Sequence, residues 1–82
     1  MTLTREEIRQ RLEKVFQDVF DNDKIKLFET MTAEDLKEWD SLMHISLVVA
    51  VEKEFHVRLN AAEVGQLENV GAMLDLLARK NT

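Results

Sequence analysis

The sequence contains no cysteine and no proline, and it has only two glycines among its 82 residues. Without cysteine, a disulfide framework, a thiolate metal site and a cysteine nucleophile are all excluded. The scarcity of helix-breaking residues is unusual unless most of the chain is helical. A chain of this length forms one small domain, residues 1–82, with a modest core, so we expect helix packing to hold it together.

Positive charge is also scarce, because 11 Lys and Arg residues stand against 16 Asp and Glu residues and give a formal net charge of -5. This balance argues against a nucleic-acid partner, since such proteins carry a basic patch, and it suits contact with basic protein surfaces. No long apolar run is present, and residues 1–7 contain no signal-peptide core. We therefore expect a cytoplasmic monomer without stable membrane insertion.

The first helix is predicted from its cap and its apolar spacing. Thr4 and Glu7 match a capping box, and the helix should end near Phe20, before turn residues at 21–23. One side of this helix is predicted to face the core and the other to be solvated. The core-facing residues are Ile8, Leu12, Val15, Phe16 and Val19, and the solvated ones are Arg9, Glu13, Lys14 and Gln17.

Three further helices follow from similar signals. A second helix is predicted over 41–55 with Asp40 as its N-cap, a short third helix over 60–66 has its own capping box, and Asn69 caps a fourth. The fourth helix should bury Val70, Met73, Leu74 and Leu77 and should end with Arg79 and Lys80. We therefore predict an all-α fold, a small four-helix bundle with a long loop between helices 1 and 2.

The long connection over 24–38 has no consistent period, which indicates a loop pinned to the core by a few large side chains. Those side chains are Ile25, Leu27, Phe28, Met31 and Leu36. Residues 32–35 have the composition of a cap for a short helical turn that runs to Glu38. Trp39, the only tryptophan, either anchors this loop on the bundle or lines the path of a group carried on Ser41.

The predicted second helix is apolar around much of its circumference, which is unusual for a surface helix in so small a domain. The residues placed on one side are Leu47, Val48, Val51 and Phe55, and those on the other side are Leu42, Ser46, Val49 and Lys53. Two interpretations remain open. Either the helix is packed on both sides, or Leu42, Met43 and Val49 form an exposed contact patch.

Ser41 is the strongest candidate for chemistry, because a helix start favours an attached anion such as a phosphate ester. Ser41 and His44 are also spaced like a nucleophile and base, but no glycine-rich elbow or obvious third group accompanies them. His44 is therefore interpreted as a half-buried packing residue or a neighbour of whatever Ser41 carries. His44, His56 and the acidic residues of 34–40 lack metal-site spacing, so we predict neither a catalytic nor a metal site.

The segment Asp40-Ser41-Leu42, followed by an apolar helix that ends Glu52-Lys53-Glu54-Phe55, resembles the signature of acyl carrier proteins. Helix order, loop and length agree with that family along nearly the whole chain. The resemblance implies that Ser41, within the motif it forms with Asp40 and Leu42, receives a 4′-phosphopantetheine group from coenzyme A through a phosphopantetheinyl transferase. The protein would then carry acyl groups as thioesters for acyl-loading and acyl-transferring enzymes, without being an enzyme itself.

Departures from the family pattern indicate a specialised carrier. General fatty-acid carriers have a glycine and a small residue before the signature, whereas this chain has Lys37-Glu38-Trp39. Those carriers place acidic side chains where Met43 and Ser46 stand here, and usually another in place of Lys53. Loss of these carboxylates shifts recognition from charge towards apolar contact. We therefore predict that partner contacts lie at Trp39, Met43, Ser46, Val49 and Lys53.

The Trp-Asp-Ser-Leu-x-His-Ile variant is similar to discrete carriers of secondary-metabolite, polyketide-like or surface-polysaccharide and lipid pathways, so we expect such a role rather than housekeeping fatty acid synthesis. One alternative is an aminoacyl or peptidyl carrier. An alternative of another class is a non-catalytic helical module that binds a partner through Leu42, Met43 and Val49.

Overall fold

The computed structural model describes residues 4–80, which form four helices joined by one long and two short connections. The helices are α1 (Arg5–Val19), α2 (Ser41–Phe55), α3 (Ala61–Gly65) and α4 (Val70–Lys80). Within this part of the chain no helix is long and apolar enough to cross a membrane. The all-α fold, the order of its helices and the long first loop are confirmed.

Each helix begins at its predicted cap. At the start of α1, Thr4 Oγ1 accepts the N–H of Glu7 at 3.1 Å, and Glu7 Oε1 accepts the N–H of Thr4 at 3.0 Å. At the start of α2, Asp40 Oδ1 accepts the N–H of Met43 at 2.8 Å. A cap of this kind stabilises a helix by about 1 kcal/mol because it satisfies an N–H that has no partner within the helix. The predicted caps of α3 and α4 also form, at Asn60 with Glu63 and at Asn69.

A single apolar core lies where α1 packs against α2 and α4. The core-facing predictions for these helices hold, except that Val19 is only half-buried and Leu76, which was not predicted, is buried. The most completely buried side chains are Phe16, Ile8, Leu12, Leu47, Leu74, Leu77 and Val70. The helical periodicity of the sequence therefore identified the core of the three long helices.

The long loop between α1 and α2 is pinned to this core by most of the side chains predicted to do so. Ile25, Leu27, Met31 and Leu36 are buried. Phe28 is 49% exposed, so the prediction that it pins the loop is wrong. Nothing in its local sequence distinguishes Phe28 from its buried neighbours, because burial in a loop without a period depends on the path of the backbone.

Two polar side chains of α1 hold the first part of the loop. The N–H of Leu27 donates to Glu13 Oε2 at 3.0 Å, and Gln17 Nε2 donates to the carbonyl of Ile25 at 3.0 Å. The prediction that Glu13 and Gln17 are solvated is therefore wrong. A loop that packs on a helix must find partners for its backbone groups, and here α1 supplies them.

The next part of the loop is hydrogen-bonded to the start of α4. The N–H groups of Val70 and Gly71, which have no acceptor within their own helix, donate to the carbonyls of Met31 and Glu29 at 2.9 and 2.8 Å. A Cβ atom at position 71 would lie 3.0 Å from the carbonyl oxygen of Glu29, so glycine allows this close approach. The loop thus joins the first and last helices of the bundle.

The predicted helical turn between Thr32 and Glu38 is wrong, because this segment consists of consecutive turns. Thr32 Oγ1 accepts the N–H of Glu34 at 3.2 Å, and the Asp35 carboxylate accepts the N–H of Thr32 at 3.0 Å. Side-chain hydrogen bonds of this kind give the backbone an alternative to a helix.

Trp39 closes the loop and is only 4% exposed. Its ring meets that of Phe16 edge-on, with centroids 5.2 Å apart and an interplanar angle of 89°. Its indole Nε1 donates to Nδ1 of His44 at 3.0 Å. The interpretation of Trp39 as the anchor of the loop agrees with this geometry.

Replacing the anchor should destabilise the whole domain. We expect Trp39→Ala to lower the free energy of unfolding by about 3–5 kcal/mol, because it removes a buried aromatic ring and leaves a cavity. Urea denaturation followed by far-UV circular dichroism measures this. The matched control is Phe28→Ala, an exposed aromatic residue of the same loop, for which we expect a change within about 0.5 kcal/mol. Equal losses in the two variants would contradict the assignment of the anchor.

The capping box of α3 should give the stability a dependence on pH. The N–H of Asn60, and then Lys80, lower the pKa of the Glu63 carboxyl below its ordinary value. The folded state therefore binds fewer protons at this group than the unfolded chain, whose Glu pKa is about 4.3. The stabilisation is present above that value and is lost as the pH falls through the lowered pKa of the folded protein.

The test compares wild type with Glu63→Gln by urea denaturation at a series of pH values. The difference in stability between them should be largest above about pH 5 and should shrink on acidification. Glu34→Gln is the control, since it removes the same charge from an exposed turn outside the helix caps. A parallel pH dependence for both variants would mean that the cap is not its source.

Candidate functional site

Ser41 is the first residue of α2 and its side chain is exposed. Asp40 caps the helix through its carboxylate, and its carbonyl accepts the N–H of His44 at 2.8 Å. The N–H groups of Ser41 and Leu42 belong to the first turn and have no acceptor within the helix. The hydroxyl is therefore accessible and lies at the positive end of a helix of 15 residues, as predicted.

A groove of about 480 Å³ begins at Ser41. It runs between the start of α2, the long loop and the short connection between α3 and α4. Its lining residues are Ala33, Trp39, Asp40, Ser41, His44, Leu67 and Glu68. The groove joins the N-terminal end of α2 to segments far away in the sequence, so helical patterns alone did not predict it.

The side walls of this groove include two aromatic rings that hold each other in place. Trp39 and His44 are nearly parallel, at 18°, with centroids 6.0 Å apart, and they are joined by the indole hydrogen bond. His44 is half-buried, which agrees with its interpretation as a packing residue beside Ser41. Trp39 also lines the groove and is only 4% exposed, so it could offer a partner protein no more than the edge of its ring.

The charged groups at this end of the molecule are mainly acidic. The carboxylates of Asp40 and Glu68 line the groove, and Glu34, Asp35 and Glu38 are exposed on the adjoining loop. Asp40 is already engaged as the cap of α2. The surroundings of Ser41 are thus suited to a partner with a basic surface.

The outer face of α2 is apolar and exposed. Leu42, Ile45 and Val49 are 78%, 63% and 45% exposed, so the interpretation of a helix packed on both sides is wrong. Met43 is half-buried against the core and offers only part of its side chain. Ser46 and Lys53 are exposed on the same face, as predicted.

Ile45 is the residue of this face that the sequence-based prediction missed. It lies three positions after Leu42 and four before Val49, a spacing that places all three on one stripe. Helical spacing could have identified it. We define Leu42, Ile45 and Val49 as the apolar stripe of α2.

The interior of the bundle next to the groove is almost filled. The space between α2 and α4 amounts to about 10 Å³, on the scale of one water molecule. Leu67 lines both this space and the groove. An acyl chain would therefore need the core to open before it could enter, whereas the groove is already accessible.

The chain is similar to known proteins along nearly its full length. Residues 6–77 match the family model described as "Phosphopantetheine attachment site". Acyl carrier proteins from two strains, Tuc7 and APS, of Buchnera aphidicola subsp. Acyrthosiphon pisum are each 27% identical over 74 residues, which cover 90% of this chain and 92% of theirs.

A solved structure agrees with these relatives. The solution NMR structure of a holo acyl carrier protein from Geobacter metallireducens superposes with a TM-score of 0.84 at 36% identity, covering 89% of this chain and 84% of the other. The family match, the sequence relatives and the fold all indicate the same family. The chain belongs to the acyl carrier protein family, whose members are not enzymes and carry acyl groups on a covalently attached 4′-phosphopantetheine.

Proposed function

We propose that Ser41 is the residue to which 4′-phosphopantetheine is attached. The observation that carries this proposal is the exposed hydroxyl on the first residue of α2, at the mouth of an open groove. The only other serine, Ser46, is also exposed but lies in the middle of the helix, where the backbone N–H groups are already bonded. Ser41 therefore has an accessible hydroxyl at the positive end of the helix, where the electrostatic potential favours an anion.

The residues present fit the group in three respects. The unpaired N–H groups of the first turn can donate to a phosphodiester. The groove of about 480 Å³ is large enough to receive a flexible arm. The chain itself has no cysteine, and the group supplies a terminal thiol when bound.

The neighbours of Ser41 have separate roles in this proposal. Asp40 holds the helix start in place by accepting the N–H of Met43, which leaves the N–H groups of Ser41 and Leu42 free for the phosphodiester. Trp39 keeps the loop closed behind the attachment point. The bundle thus holds one end of the arm rigidly while the thiol end remains free to move.

We further propose a specialised pathway, of the secondary-metabolite, polyketide-like or surface-polysaccharide and lipid type, for this carrier. The first turn of α2 has no acidic residue, and Met43, Ser46 and Lys53 stand where general carriers have carboxylates. Partner enzymes would therefore dock by apolar contact with the stripe formed by Leu42, Ile45 and Val49. The exposed carboxylates beside the groove would attract a basic transferase at longer range.

Attachment at Ser41 can be tested by mass spectrometry. The apo protein incubated with coenzyme A and a broad-specificity phosphopantetheinyl transferase should gain the mass of one phosphopantetheine group, and Ser41→Ala should gain none. Ser46→Ala is the matched control, a serine of the same helix, and should be modified like wild type. A wild-type protein that gains no mass, or an equal gain in Ser41→Ala, would refute the attachment site.

Recognition by apolar contact can be tested with a charge placed on the stripe. Val49→Glu should lower kcat/KM for loading by the same transferase by about tenfold, which corresponds to a lost contact of about 1.4 kcal/mol. Ala62→Glu adds the same charge to an exposed position of α3 and should load at the wild-type rate. Faster loading of Val49→Glu than of wild type would show that charge, and not apolar contact, dominates.

A further inference from the structure

One of the two ring nitrogens of His44 makes no hydrogen bond within the described part of the chain. The Nδ1 of His44 accepts the indole N–H of Trp39, while the structure gives Nε2 no partner among the described residues. We propose that His44 Nε2 donates a hydrogen bond to the phosphodiester that joins the arm to Ser41, and so orients the arm along the groove. This inference rests on the proposed attachment at Ser41.

The position of His44 supports this role. His44 lies three residues after Ser41 on α2, so the two side chains are neighbours on one side of the helix. Long side chains on a helix lean towards its N-terminus, which brings the imidazole towards the level of Ser41. Both residues line the same groove.

The hydrogen bond from Trp39 determines which nitrogen can donate. Because Nδ1 acts as the acceptor, the proton of the neutral imidazole lies on Nε2. The two nitrogens point away from each other across the ring, so the contact with Trp39 directs Nε2–H away from the indole. Trp39 therefore holds His44 in one tautomer and in one orientation.

The composition of the groove strengthens the argument. Its lining contains no lysine or arginine, and its two charged side chains, Asp40 and Glu68, are acidic and would repel a phosphodiester. Trp39 has already used its indole donor on His44. Apart from the hydroxyl of Ser41 itself, His44 Nε2 is the remaining side-chain donor among the lining residues.

The experiment uses the holo protein and two substitutions at His44. One keeps only the hydrogen-bond acceptor at the position of Nδ1, and the other keeps a donor at the position of Nε2. In His44→Asn the amide oxygen takes the place of Nδ1 and keeps an acceptor for Trp39, but the donor at Nε2 is lost. In His44→Gln the amide nitrogen reaches the place of Nε2 and keeps a donor. His56→Asn, at the exposed left-handed residue that ends α2, is the control.

The readout is the ³¹P NMR signal of the phosphodiester in each holo protein. We expect the signal of His44→Asn to shift towards that of a phosphopantetheinylated serine peptide, in which no imidazole is present. We expect His44→Gln to remain near wild type and His56→Asn to match it. In wild type, loading should shift the ¹⁵N resonance of His44 Nε2 but not the resonances of His56.

The outcomes separate this inference from the proposal on which it rests. Failure of wild type to gain mass on loading refutes the attachment at Ser41. Normal loading with an unchanged ³¹P signal in His44→Asn overturns the hydrogen bond while the attachment stands. A merely structural role of His44 would also leave that signal unchanged, because His44→Asn keeps the contact with Trp39. If His44→Asn does not fold, the ¹⁵N comparison of apo and holo wild type decides alone.

Discussion

The edge-on packing of Trp39 against Phe16 is the contact on which the position of the candidate site depends. Trp39 lies two residues before Ser41, so the place where its ring is buried determines where the start of α2 lies on the bundle. A buried aromatic ring contributes several kcal/mol, a large part of the total stability of a small domain. The exposed hydroxyl of Ser41 is thus held in place by a core contact two residues away in the chain.

Polar contacts make that loop part of the bundle. Glu13 and Gln17 of α1 bind its first half, and the start of α4 binds the carbonyls of Glu29 and Met31. Each bond contributes only about 1 kcal/mol, but leaving these backbone groups unpaired would cost more. With no disulfide and no proline in the chain, these bonds and the buried side chains of the loop limit its motion.

The surface around α2 offers two kinds of contact. Its outer face presents the apolar stripe of Leu42, Ile45 and Val49, while the carboxylates lie on the loops around its N-terminal end. Charge acts over a longer distance and affects the rate of encounter, whereas apolar contact requires close fit and affects the lifetime of a complex. A carrier that must bind several enzymes in turn can use charge to speed the encounter and apolar contact to select among partners.

Much of this structure can be predicted from the sequence alone, through the helix caps and the helical spacing of apolar residues. The capping residues Thr4, Asp40, Asn60 and Asn69 and the buried residues of α1, α2 and α4 follow from local hydrogen bonding and helical spacing, which a sequence displays directly. The motif around Ser41 likewise indicates the family, because its residues are adjacent in the chain. These features depend on residues close together in the chain.

Only the tertiary structure decided the features that depend on distant residues. The exposure of Phe28, the burial of Trp39 and the use of Glu13 by the loop follow from the path of a segment without a period. The groove beside Ser41 needs Ala33 and Leu67, which no local pattern connects with α2. Local interactions specify where helices begin and which faces they bury, but long-range packing decides what lies beside Ser41.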